Sequence, residues 1–403
     1  MLQRLLIIGA GFAGMHAALA AARLRDVNGV SCKDLEIVLV APELTLVVRP
    51  RLYEPEPESM TAPLGDLLKA IEVLYVQGRV ETIDIDTGSV EIVGPEGEPF
   101  ALSYNRLVLA SGSRLFRPPV PGLAQYGFSV DQLGDAIALD LHLKGLSDRP
   151  ESIARNTVVV AGGGFTGIEV ATEMPARLRS VLGETATIRI VIVDRGEAMA
   201  PDMGPGPRPI IEKAMRDLGV EMRLGEGVEA LDESGVTLTG GARVDSATVI
   251  WAAGMRASPL TQQIPAERDR FGRLLVDRDL RVPEVPSVFA AGDTGQAATD
   301  DLGNISVMSC QHANRLGAAA GHNAAAELLG VPAEPYQQKN YVTCLDLGAS
   351  GAVFTRGWDR VVEMTGDNAK ATKVEINTKW IYPPEADREA AFAASEWARL
   401  VDY

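Results

Sequence analysis

The sequence has no dense block of lysine and arginine, no long uninterrupted apolar run and only three cysteines. Acids outnumber bases 54 to 38 over 403 residues, giving a net charge of -16. Such a chain repels nucleic acid and anionic lipid unless a local patch escapes the average, so no nucleic-acid partner is expected. No stretch approaches the roughly 18 to 20 uncharged apolar residues of a spanning helix. The N-terminus also lacks the basic region and cleavage site of a secretory signal. Cys32, Cys310 and Cys344 have neither metal-knuckle nor disulfide-framework spacing, which favours a reducing cytoplasm. His16, His142, His312 and His322 are equally scattered, and no metal is expected.

What is present is a soluble composition and a length that calls for two or three domains of about 100 to 200 residues each. Leu5 to Ile8 is a short apolar run ending at Gly9, followed by an alanine-rich, helix-forming segment from Phe12 to Leu24 and a second strand from Glu36 to Val40. This order makes a β-α-β unit. The same order returns 153 residues later as Thr157 to Ala161, a glycine turn, a helix, and Ile188 to Val193. Further strands are expected at Val73 to Val76, Glu81 to Asp86, Ser89 to Val93, Leu107 to Ala110 and Ser287 to Ala291, with a helix from Ala313 to Leu329. The last part, from about Pro332, has strands around Tyr341 to Leu347, Ala352 to Phe354 and Val361 to Met364. The proline-bearing stretch from Val48 to Pro63 reads as a loop over a site, and "RPPVPG" at Arg117 to Gly122 as a domain crossover.

Both turns have the pattern G-x-G-x-x-G, with Gly9, Gly11 and Gly14 in the first and Gly162, Gly164 and Gly167 in the second. The first glycine permits a tight turn, the second lets backbone approach a pyrophosphate, and the third lets the helix pack on the strand. Each match follows an apolar strand and opens a helix, the context such a motif requires. Two pyrophosphate cradles imply two dinucleotides, most simply a bound flavin and an exchanging nicotinamide. The fold class is therefore α/β with two Rossmann-like dinucleotide-binding domains.

Together with "LVLASGS" at Leu107 to Ser113, "VIWAAGMRAS" at Val249 to Ser258 and "VFAAGD" at Val288 to Asp293, the turns make the chain resemble the type II NADH dehydrogenases. These are FAD-dependent NADH:quinone oxidoreductases of the two-dinucleotide flavoprotein superfamily. The resemblance spans roughly Leu5 to Leu329. It implies a discontinuous FAD domain (1–120 and 281–330), an NAD(P)H domain (121–280) and a C-terminal α+β segment (331–403) serving as interface or cap. It places Gly9, Gly11 and Gly14 at the FAD pyrophosphate, Ser111 and Gly112 at the crossover beside FAD, Gly292 and Asp293 at the ribityl or pyrophosphate region, and Pro50 beside the flavin ring. Gly254 joins the second nucleotide's surroundings. Glu169 would sit near the nicotinamide and the flavin edge; the competing reading is a solvated acid in the helix's first turn, stabilised by the helix dipole. Asp194 ends the strand after the second turn, where an acid favours NADH, although Arg195 beside it leaves NADPH open.

The sequence departs from this pattern at several places. Ala41 occupies the usual ribose-binding acid position, and Glu43 is the candidate substitute. In "VMSCQHANRLG" the family's first glutamine is kept as Gln311, while its second is replaced by Arg315. Arg315 can offer a cation to an acidic substrate or to the reduced flavin, or make a salt bridge on a helix surface. Cys310 reads as a small buried residue, because the paired cysteines of disulfide reductases are absent and Phe165 and Thr166 stand where sulfide:quinone enzymes place a redox cysteine. The chain ends with Glu385, Asp387, Glu389 and Glu396 around Phe392, Trp397, Leu400 and Val401. That composition suits a capping helix better than an interfacial one, so membrane contact is doubtful, peripheral attachment remains open, and a homodimer contact through this segment is possible. The expected activity is hydride transfer from NADH to flavin and on to a quinone or other small organic acceptor, with Glu169 and Gln311 shaping the reaction space. The alternatives are an NADH-responsive binding or sensing module and a reductase of a carrier protein.

Overall fold

The computed structural model describes residues 2–395; Glu396, Trp397, Leu400 and Val401 lie outside them. The first β-α-β unit consists of β1 (Gln3–Ile8), α1 (Phe12–Val27) and β2 (Leu35–Ala41). With β3 (Leu74–Gln77) and β4 (Arg106–Leu109) it begins a sheet that the chain leaves and later rejoins. The second unit contains β5 (Gly127–Phe128), β6 (Thr157–Ala161), α2 (Phe165–Leu182), β7 (Arg189–Asp194), β8 (Val220–Leu224) and β9 (Thr248–Trp251). Its five strands lie in the order β5-β9-β6-β7-β8, and every neighbouring pair is parallel. The chain then returns through β10 (Arg281–Val282) and β11 (Val285–Ala290) to complete a six-stranded sheet in the order β10-β11-β4-β1-β2-β3, before α3 (Cys310–Leu329) covers it.

The central strands are continuously apolar because both of their faces are buried. Leu5 and Ile7 pack with α1 and α3, while Leu6 and Ile8 face the antiparallel meander Arg79–Asp84, Ser89–Val93, Pro99–Ser103. The second unit repeats this: Val158 and Val160 join the α2 side, and Val159 and Ala161 join the meander Val228–Asp232, Gly235–Leu238, Arg243–Asp245. The repeat thus extends beyond the glycine turns to a whole helix-sheet-meander sandwich. The two crossovers between the units run side by side, with Ser113–Leu115 paired antiparallel to Met255–Ala257.

The remaining chain forms an antiparallel sheet of β12 (Val342–Asp346), β13 (Ala352–Arg356) and β14 (Val361–Thr365), followed by α4 (Gly366–Glu375) and α5 (Arg388–Ala393). Within the described residues α5 packs on the body: Phe392 joins the first core, and Arg388 reaches Asp26 and Glu72.

Most strand expectations hold within one or two residues; the third helix does not. It begins at Cys310 rather than Ala313, because the Ser309 hydroxyl caps it by accepting from the His312 N–H at 3.3 Å. The Val48 to Pro63 stretch is mostly irregular, but Thr45–Val47 and Thr61–Pro63 pair as a small edge ladder flanking two 3₁₀ turns.

The seam between α1 and α3 is built from the smallest side chains. A Cβ on Gly317 would lie 2.1 Å from the Ala13 carbonyl oxygen, and one on Gly321 would lie 2.1 Å from that of Ala17. Both obstacles are backbone and cannot rotate away. Gly321→Ala is expected to cost about 1–3 kcal/mol through helix displacement, read as a lower urea midpoint; an unchanged midpoint would show that the seam is loose.

Candidate functional site

The two glycine turns are built alike. In the first, Gly9 has φ +112° and its N–H donates to Val40 O at 2.8 Å. In the second, Gly162 has φ +125° and its N–H donates to Val193 O at 2.8 Å. The left-handed region excludes most side chains there. A Cβ on Gly14 would meet the Gly9 carbonyl oxygen at 1.8 Å, and one on Gly167 would meet that of Gly162 at 1.8 Å. The middle glycines differ: a Cβ on Gly11 or Gly164 would meet nothing within 4 Å. Each middle glycine precedes a helix whose first amides have no side-chain cap and no acid in the first turn. Open space in front of uncapped helix amides is what an anionic diphosphate fits.

Around the first turn, Ser111 Oγ is buried without a partner among the described residues. Gly112, at φ +67°, accepts from Ser258 N at 2.8 Å. Gly292 also has positive φ, +63°, and a Cβ there would lie 2.9 Å from that of Ala13. Asp293 accepts from the Ser113 hydroxyl at 2.6 Å and faces Arg49 Nη1 at 3.5 Å. Arg49 also pairs with Asp131 at 2.5 Å, across the crossover. Sequence reasoning stopped at Pro50 and missed this neighbour. Pro50 itself lies in the 3₁₀ turn Arg49–Arg51. Glu43 is exposed two residues beyond β2, within the electrostatic reach of Tyr75, whose hydroxyl donates to Ala41 O at 3.0 Å.

At the second turn, Asp194 accepts from Gly163 N at 2.6 Å and from Gly196 N at 2.7 Å, so its carboxylate closes the turn as well as ending β7. Gly254, at φ +82°, accepts from Phe116 N at 3.0 Å and joins the crossovers.

Glu169 is neither solvated nor in the first turn. It is the fifth residue of α2 and only 4% exposed. Its carboxylate accepts from Lys373 Nζ on α4 at 2.8 Å and from Asp346 N on β12 at 3.1 Å. Burial pushes the carboxyl up to about 7, against the opposing pull of Lys373. Burial alone would lower Lys373, but Glu169 beside it holds it above its ordinary value. Asp346 in turn receives the Tyr53 hydroxyl at 2.9 Å and Lys370 Nζ at 2.5 Å. Lys373 lies 204 residues from Glu169 and carries no sequence signal; only the fold brings them together.

Gln311, in the first turn of α3, accepts from Val342 N at 3.5 Å. The Cys310 thiol is held protonated, raised to about 11 by burial, and all three cysteines are free. Arg315 is 7% exposed, so it does not lie on a solvent-facing helix surface as expected: 14 of the 20 residues of α3 are buried. Among the described residues no group of His, Cys, Asp and Glu could hold a metal, and no helix is long and apolar enough to cross a membrane.

Two sheets with parallel central strands, each opening an uncapped glycine turn toward a diphosphate, define a two-dinucleotide flavoprotein. Residues 3–317 match the pyridine nucleotide-disulphide oxidoreductase family, and the chain belongs to it. It is an FAD-dependent NADH oxidoreductase that serves a small-molecule electron acceptor. An NADH dehydrogenase-like protein of Mycobacterium tuberculosis is 46% identical over 401 residues, 99% of each chain. The demethylphylloquinone reductase of Synechocystis is 30% identical over 363 residues, 87% of this chain and 86% of that relative. Among solved structures, NDH2 from Plasmodium falciparum shares the fold with a TM-score of 0.77, covering 100% of both chains at 14% identity.

Removing the cation from the buried pair exposes its cost. At about pH 8, Lys373→Met is expected to lose about 3–5 kcal/mol, because the Glu169 carboxylate is left buried without a counter-charge. A carboxyl whose folded pKa exceeds its unfolded one destabilises the fold as pH rises above the unfolded value, and not below it. The deficit should therefore shrink as pH falls from about 8 toward the ordinary carboxyl value of 4.5. Urea unfolding at several pH values checks this; a deficit constant with pH would contradict it.

Proposed function

We propose that the protein is an NADH:quinone oxidoreductase in which the first turn holds FAD and the second holds NADH. The observation that carries this reading is the pair of matched turns with open middle glycines and uncapped helix amides. The quinone acceptor is supported by the Synechocystis relative, a demethylphylloquinone reductase aligned over most of the chain.

In this reading the discontinuous domain 1–120 and 281–330 binds FAD, 121–280 binds NADH, and 331–403 caps the reaction space. Gly9, Gly11 and Gly14 admit one diphosphate, with Ser111, Gly112, Gly292 and Asp293 along the same cofactor, Pro50 beside its ring and Glu43 at its adenosine end. Gly162, Gly164 and Gly167 admit the other, with Asp194 toward the ribose and Gly254 alongside. FAD, when bound, supplies a ring able to accept a hydride and pass two electrons on. The chain's own part is orientation and charge. Arg49 and Ser113 hold Asp293 in place. Glu169, with a carboxyl near 7, can take up or give back a proton near neutral pH, and Lys373 and Asp346 fix where its oxygens point. Gln311 is tied to β12 and sets the edge where the acceptor would enter.

The middle glycines separate cofactor binding from folding. Gly11→Val should fold with an unchanged urea midpoint yet purify colourless, whereas Gly164→Val should stay yellow and need at least about tenfold more NADH for bleaching. Flavin retained by Gly11→Val would reject the assignment of the first turn. For the reaction, NADH with 1,4-naphthoquinone should give steady turnover; rapid flavin bleaching with negligible quinone reduction would reject the quinone acceptor.

A further inference from the structure

Beside the first turn of α3 lies a cluster that the reading above does not use. The rings of His312, Tyr341 and Trp358 stack within 4.6 to 6.0 Å of one another. The Arg360 guanidinium lies 4.3 Å over the Tyr341 ring and donates to its hydroxyl at 3.2 Å. Arg360 is 9% exposed and, among the described residues, has no carboxylate within ion-pair distance; its other contact is the Asp202 carbonyl at 3.3 Å. A buried guanidinium is normally paired. Three buried nitrogens in this cluster have no partner among the described residues: Arg360 Nη1, Trp358 Nε1 and His312 Nε2. His312 is fully buried and neutral, lowered to about 3 by burial and by Arg360, Arg315 and Arg273. Its Nδ1 lies 3.0 Å from the Ser309 hydroxyl. With the hydroxyl proton given to Nδ1, we assign the ring's own proton to Nε2.

All three unmatched groups are then donors, in a field set by three arginines. Donors without acceptors, one of them a cation, call for an anionic oxygen ligand. Half-buried Trp358 supplies a flat face for an aromatic body, while the Tyr341 ring, covered by Arg360, Trp358 and His312, backs the cluster from inside. Trp358 is half-buried between half-buried Gly357 and exposed Asp359, so the cluster touches the surface at the β13–β14 turn. Arg360 holds φ +55°, a strained value for a residue with a side chain. Cys310, next to Gln311, is within electrostatic reach of both Tyr341 and Asp293, which sets the cluster on the acceptor side of the proposed reaction space.

We propose that His312, Tyr341, Trp358 and Arg360 form a subsite for an aromatic acceptor bearing a carboxylate, with Arg360 and the Trp358 indole N–H gripping the acid group. This rests on the quinone-reductase reading and narrows its substrate class.

The test is equilibrium binding to the holoenzyme at saturating NAD+, followed calorimetrically, with 2-naphthoate and its uncharged analogue 2-naphthamide as probes. The wild type should bind naphthoate about tenfold or more tighter than naphthamide, the difference a charge-assisted bond supplies. Arg360→Gln should abolish the preference, Arg360→Lys should retain part of it, and Trp358→Phe should weaken naphthoate several-fold with little effect on naphthamide. Equal binding of the two probes by wild type overturns the proposal, even where a variant fails to fold. So does a preference that survives Arg360→Gln. Because binding is read without turnover, loss of naphthoquinone reduction alongside intact naphthoate selectivity would reject the quinone reading and spare the subsite.

Discussion

The third glycine of each turn rests on the carbonyl of the first, with no room for a methyl group between them, and the rest of the site depends on that contact. It fixes the helix against the end of its strand, so the first helix amides open into the space before the middle glycine. Any side chain at Gly14 or Gly167 pushes the helix away from the strand and turns those amides elsewhere. Hydrogen bonds from Gly9 to Val40 and from Gly162 to Val193 complete the arrangement by tying each turn to the neighbouring strand. The two units therefore share a backbone geometry and not merely a motif.

The units meet through parts unlike either of them. The paired crossovers join them along one edge, and the Arg49 network links Asp293, Ser113 and Asp131 across that edge. On the other side the C-terminal sheet and α4 close over α2 through Lys373 and Glu169. A buried ion pair is a poor source of net stability. Its effect here is positional: Glu169 faces β12 and α4, and its Oε1 accepts from groups on both.

What the sequence showed depended on range. Strand, turn and helix in both units could be read because apolar runs and glycine spacing are local signals, and two strands of the first meander were expected as strand-like runs, whereas its third strand and the whole second meander were not. The start of α3 also has a local signal, since Ser309 is a preferred cap, but alanine composition points to Ala313. Arg315 was misplaced because charge suggests surface, whereas an Ala- and Gly-rich helix is covered on several sides by close neighbours and carries its arginine inside. Of the two readings of Glu169, burial excludes the solvated first-turn acid, and the reason lies out of local range, since its environment comes from Lys373 and Asp346 near the far end of the chain. The cluster of His312, Tyr341, Trp358 and Arg360 likewise spans two regions that no spacing rule connects.

The seam between α1 and α3 has one more property. Alanine and glycine have no rotamers to lose, so ordering this interface forfeits almost no side-chain entropy. They also have no rotamers with which to adjust. A bulkier residue elsewhere in a core can be absorbed when neighbours re-orient, but here the only movable object is an entire helix. Since Gly11 directly precedes α1, a displacement of α3 at Gly317 or Gly321 is transmitted as a rigid shift to the phosphate-facing end of α1. Changes in a helix lying some 300 residues downstream would thus be felt as altered nucleotide affinity before they were felt as unfolding.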